Sequence, residues 1–105
     1  MSVTEIFQQM ASQYKTNQVA TETIYYFKIG NDKYTLFARP DGCDIKEGKA
    51  SNDAHCVIVS EPKLFTNLVL KGKKPGAMDL MRGKFKASDM GLLLKLQDLF
   101  GLNIG

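Results

Sequence analysis

Residues 54–62 read Ala54-His55-Cys56-Val57-Ile58-Val59-Ser60-Glu61-Pro62, a strand that turns at once into a helix. Ala54–Val59 is the most apolar strand-like run in the chain, which predicts a central strand. Ser60 is placed to cap the following helix, and Pro62 falls in its first turn, where a missing N–H costs little. Leu64, Phe65, Leu68 and Val69 then recur at helical spacing and predict a buried stripe.

Toward the C-terminus, Lys71-Gly72-Lys73-Lys74-Pro75-Gly76 breaks that helix. Ala77 to Arg82 predicts a short second helix, with Leu80 and Met81 inward and Gly83 as its stop. Lys84-Phe85-Lys86-Ala87 alternates as a short strand. Ser88 is placed to cap a last helix, with Asp89 at its positive end. Leu92, Leu93, Leu96, Leu99 and Phe100 form its broad apolar stripe, and Gly101 closes it. Projection at helical spacing puts Leu94 on the polar side.

Toward the N-terminus lies a β-rich run. Thr23–Ile29 is aromatic and β-branched, as strands prefer. Gly30-Asn31-Asp32 predicts a turn. Lys33 to Arg39 alternates, with Tyr34, Leu36 and Ala38 on one side and Lys33, Thr35, Phe37 and Arg39 on the other. After Pro40-Asp41-Gly42, Cys43–Glu47 is short and charged, which predicts an edge strand. The chain opens with a helix: Ser2 and Glu5 have capping-box spacing, and Ile6, Phe7, Met10 and Tyr14 form its stripe.

The 105 residues predict one domain, 1–105, with 44% hydrophobic and 24% charged residues. The net charge of +3 is mild, and the basic residues are spread singly apart from Lys71, Lys73 and Lys74. A nucleic-acid partner is therefore not expected. The lysine cluster reads as a solvated loop, or as one that meets a phosphate, a coenzyme A or an anionic membrane. Cys43 and Cys56 form no Cys-x-x-Cys pair and read as reduced thiols. Met1–Glu5 has no signal-peptide pattern, and Asn103-Ile104-Gly105 is not a peroxisomal address. The expected compartment is the cytoplasm.

No constellation for chemistry stands out. His55 is the one histidine, and on a strand it points away from its neighbour Cys56, which excludes a nucleophile–base pair there. Asp41 and Asp44 lie in a turn and a charged edge. No metal-spaced Cys/His cluster is present. The expectation is no enzyme, no metal and no cofactor.

The order helix, three strands, strand, helix, short helix, strand, helix resembles the sterol-carrier-protein-2 family. The match is clearest from Asp53 to Gly101. Met81-Arg82-Gly83-Lys84-Phe85-Lys86 looks like the family's Gly-Lys-hydrophobic-Lys strand. Met90-Gly91-Leu92-Leu93-Leu94-Lys95-Leu96-Gln97-Asp98-Leu99-Phe100 looks like its closing helix. Ser88-Asp89 stands where the family often has Gly-Asp, and Ser also caps well.

The resemblance implies an α+β fold, an open mixed five-stranded sheet covered on one face by four to five helices, with an apolar tunnel. It implies non-catalytic binding and transfer or presentation of a lipid: a fatty acid, an acyl-CoA, a sterol or similar. Phe27, Phe37, Phe65, Leu68, Met81, Phe85, Leu93, Leu96 and Phe100 are the residues expected to line the site. Met10, Met78, Met81 and Met90 offer an adaptable wall, and an exposed Leu94 a contact for a lipid tail, a membrane or a partner. The alternative is a protein–protein accessory domain, for example one presenting isoprenoid quinone intermediates to biosynthetic enzymes. Transient membrane contact fits either reading. The expected state is a monomer, with Cys43–Glu47 as the edge on which a second copy would pair.

Overall fold

The computed structural model describes residues 2–102. Its elements run α1 (Val3–Ser12), β1 (Thr23–Ile29), β2 (Asp32–Arg39), β3 (Gly42–Glu47), β4 (Cys56–Ser60), α2 (Pro62–Lys71), α3 (Ala77–Met81), β5 (Phe85–Ala87) and α4 (Met90–Phe100). The strands form one five-stranded sheet in the order β3-β2-β1-β4-β5. β1, β2 and β3 are an antiparallel meander. β4 then crosses over to pair parallel with β1, from Tyr25↔Cys56 to Ile29↔Ser60, and β5 closes the other edge antiparallel to β4. The fold is α+β, with the mixed sheet and the edge strand expected from the sequence.

Alternation in the strands decides where the helices go. Tyr25, Phe27 and Ile29 of β1, Tyr34, Leu36 and Ala38 of β2, and Cys56 and Ile58 of β4 share one face and are buried. Val3, Ile6, Phe7 and Met10 of α1 pack onto this core, as do Phe65 and Leu68 of α2 and Leu93, Leu96, Leu99 and Phe100 of α4. The centre is ring on ring: Phe7 lies 5.1 Å from Phe27 and 5.3 Å from Phe65, centroid to centroid. The opposite face carries Tyr26, Phe37, Val57 and Val59, all half-buried. A loop folds back over part of it, where the buried Thr35 hydroxyl donates to the Gly48 carbonyl at 2.8 Å and accepts from the Ala50 N–H at 2.9 Å.

The start of α1 is a full capping box: the Glu5 N–H donates to Ser2 Oγ and the Ser2 N–H to Glu5 Oε1. The Ser2 N–H and, to a lesser extent, the Ser2 hydroxyl, which also donates to Glu5 Oε1, hold the Glu5 carboxyl below its ordinary pKa. Tyr14 lies beyond the helix end but still packs its ring 5.3 Å from Phe100 and donates its hydroxyl to the Arg39 carbonyl. At the β1–β2 turn, Gly30 has φ +62°, and a Cβ there would meet Pro62 Cγ at 2.8 Å. Glycine thus lets the hairpin and the start of α2 touch.

Three local expectations are corrected. Glu61, not Ser60, is the N-cap of α2, and it makes no side-chain cap; Ser60 ends β4 and donates its hydroxyl to the Glu61 carbonyl. Asp89, not Ser88, caps α4, accepting from the Leu92 N–H at 2.9 Å. Ser88 instead accepts from the Val57 N–H, holding the end of β5 to β4. Leu80 and Met81 are not buried: α3 has no buried residue, Leu80 is half-exposed and Met81 is 81% exposed.

Candidate functional site

The apolar hollow lies at the end of the core where α3 stands off the body. Leu68 from α2, Phe85 from β5 and Leu93 from α4 form its buried floor. Leu80 from α3 and Met90 and Leu94 from the start of α4 are its half-exposed walls, and Pro75 closes one side. It holds about 250 Å³. Sites that enclose whole drug-sized ligands run to roughly 300–1,000 Å³. This groove therefore suits one apolar tail with the rest of its molecule outside.

The groove follows from local sequence. Gly72 takes φ +62° and ends α2 in a left-handed cap. Pro75 and Gly76 carry the chain away before α3 begins. α3 is five residues long, too short to bury a stripe of its own, so it leaves a gap over Phe85. The N-cap at Asp89 fixes where α4 starts, and hence which Leu faces the gap. Lys74 is the one charged residue in the lining. It also lines a neighbouring polar cleft of about 480 Å³ that includes Lys63, Lys73, Lys84, Glu61 and Asp79. The two hollows share that lysine, so the greasy groove opens beside a basic cleft.

The residues expected from the sequence divide among four places. Leu68, Phe85 and Leu93 come together at the groove floor. Phe27, Phe65, Leu96 and Phe100 lie in the packed core, each at most 1% exposed, and do not line the groove. Phe37 is on the opposite face of the sheet, where the Arg39 guanidinium lies 5.6 Å and the Lys46 ammonium 5.7 Å from its ring centre. Met81 points into solvent from α3. Of the methionines expected to form an adaptable wall, Met90 does so, Met10 is fully buried and Met78 is exposed. The sequence reading of the site lacked Leu80, Pro75 and Lys74. Leu94, an apolar residue on the polar side of its helix, was the available signal.

Burial pushes both thiols up in pKa, Cys56 fully inside the core and Cys43 half-buried in β3. His55 is tied to β1: its ring Nδ1 accepts from the Ile24 N–H at 2.9 Å and its backbone N–H donates to the Ile24 carbonyl at 2.8 Å. Among the described residues no group of His, Cys, Asp and Glu could hold a metal ion. No described helix is long and apolar enough to cross a membrane.

No protein-family model and no curated protein matches the chain. Solved structures do. The solution structure of palmitated SCP2L2 from Aedes aegypti superposes with a TM-score of 0.59 at 14% identity, over 93% of each chain. The UbiJ-SCP2 ubiquinone synthesis protein gives 0.57 at 10% identity, over 88% of this chain and 78% of that one. The stereoselective inverting sec-alkylsulfatase Pisa1 from Pseudomonas sp. gives 0.73 at 16% identity. Here 97% of this chain matches only 16% of the sulfatase, so the chain spans about a sixth of that protein. What is shared at these identities is the fold.

Proposed function

We propose that this chain uses its sterol-carrier-protein-2 fold as a non-catalytic lipid carrier, holding the apolar tail of one lipid in the groove between α2, α3, β5 and α4. The observation that carries the reading is the lining itself: apolar side chains from four elements converge there, with one lysine at the rim. The tail belongs to a fatty acid, an acyl-CoA, a sterol or a similar amphiphile. The palmitated state of the Aedes aegypti protein and the ubiquinone-synthesis role of the second structure support that class of ligand. The reduced thiols Cys43 and Cys56 fit a cytoplasmic setting.

Palmitate and hexadecanol are the probes for thermal unfolding. A ligand at a hundred times its Kd stabilises the folded state by about 2.7 kcal/mol. In a domain of this size each kcal/mol moves Tm by about 4–8 °C, so the expected rise is on the order of 10 °C. Leu80→Trp is the matching variant, because Leu80 is 49% exposed and a larger ring there fills the groove without crowding the core. It is expected to keep its Tm and lose the ligand response. No shift with either probe, together with no lipid in an organic extract of the freshly purified protein, would sink the carrier reading.

A further inference from the structure

The segment around the groove concentrates two properties. Residues 71–86 hold six basic side chains, Lys71, Lys73, Lys74, Arg82, Lys84 and Lys86, against one acid, Asp79. That is a net +5 in a chain whose formal net charge is +3, so the remaining residues sum to −2. Among the described residues only Lys84 of the six has an ion-pair partner, Glu61 at 3.7 Å. The second property is exposed grease. Among the described residues, five of the six exposed large apolar side chains, Met78, Leu80, Met81, Met90 and Leu94, fall between residues 78 and 94. Leu80, Met90 and Leu94 surround the groove mouth, and Lys74 stands on the same rim.

Unpaired cations beside protruding apolar side chains match the two layers of a membrane surface. Lysine and arginine meet anionic headgroups, and methionine and leucine reach the boundary of the acyl chains. We infer that the loop before α3, α3 itself and the first turn of α4 form a docking surface for an anionic lipid bilayer. In that pose the groove mouth opens onto the bilayer, and a tail passes between them without crossing water. The inference is independent of tail binding, since vesicle binding uses the rim and not the groove floor.

The test is co-sedimentation with sucrose-loaded vesicles at low salt. Equimolar phosphatidylcholine and phosphatidylserine vesicles are compared with phosphatidylcholine alone. The protein is expected to pellet with the anionic vesicles only, and to be released as salt screens the charges. Each basic side chain at the surface strengthens the contact by about fivefold. Lys73→Glu with Lys74→Glu is therefore expected to weaken binding by more than about tenfold. Met81→Ser, at a solvent-exposed position, weakens it with unchanged circular dichroism. Equal pelleting with neutral vesicles, no pelleting with either, or variants that bind like the parent would each overturn the inference. So would a dimer in sedimentation equilibrium that Met81→Ser dissolves, because the face would then belong to a second copy. The palmitate shift is measured on the same samples: if it is absent while vesicle binding holds, the carrier reading fails and the docking surface stands.

Discussion

Tyr25 joins the sheet to the last helix through one atom. Its side chain is buried in β1, and its hydroxyl donates to the Leu92 carbonyl in α4 at 2.8 Å. Burial, more than the neighbouring Cys56 and Asp89, pushes its pKa well above the ordinary tyrosine value. Tyr25→Phe is expected to cost about 1 kcal/mol at neutral pH, the usual net worth of such a bond. The pH dependence has a definite sign. An unfolded phenol ionises near pH ~10, while the folded one keeps its proton. The tyrosine's contribution is thus fully present below that pH and shrinks above it. Denaturation of the two variants across alkaline pH is expected to show the gap closing. A gap that widens instead would mean the hydroxyl is not held neutral.

At the scale of elements, the strands were legible and the joints were not. The alternation of Lys33 to Arg39 sorts β2 into two faces but does not say which is buried; the structure buries Tyr34, Leu36 and Ala38 toward the helices and puts Phe37 on the other face. A one-residue change of register exchanges the two faces, so periodicity alone does not place Phe37 at the groove or away from it. Ser60 and Ser88 have the residue type of a cap, yet the Ser60 hydroxyl donates to the Glu61 carbonyl and the Ser88 hydroxyl holds β5 to β4. The inward face of α3 could not be read, since five residues are too few to define a stripe. The groove was unreadable for a related reason: it is a gap left by α3, and sequence pattern reports side chains that pack, not space between them. Asp89→Ala is the test at this scale. It removes the bond to the Leu92 N–H and is expected to lower stability by about 1 kcal/mol. It is also expected to weaken palmitate binding, because Met90, Leu93 and Leu94 depend on where α4 begins. Unchanged affinity would mean the groove wall is held by core packing alone.

For the molecule as a whole, the parallel pairing of β1 with β4 sets an order of assembly. The β1–β2–β3 meander needs only short turns, so it closes quickly. Joining Tyr25 to Cys56 requires 30 intervening residues to come around first, which makes this pairing the slow non-local step. Ile58→Val in β4 is expected to slow refolding, while Ile45→Val on the outer edge is expected mainly to speed unfolding. Stopped-flow measurements on the pair decide between this order and one in which the C-terminal half collapses first. During synthesis the same topology leaves the first half of the chain as an unfinished sheet, its β1 edge open, until β4 has left the ribosome.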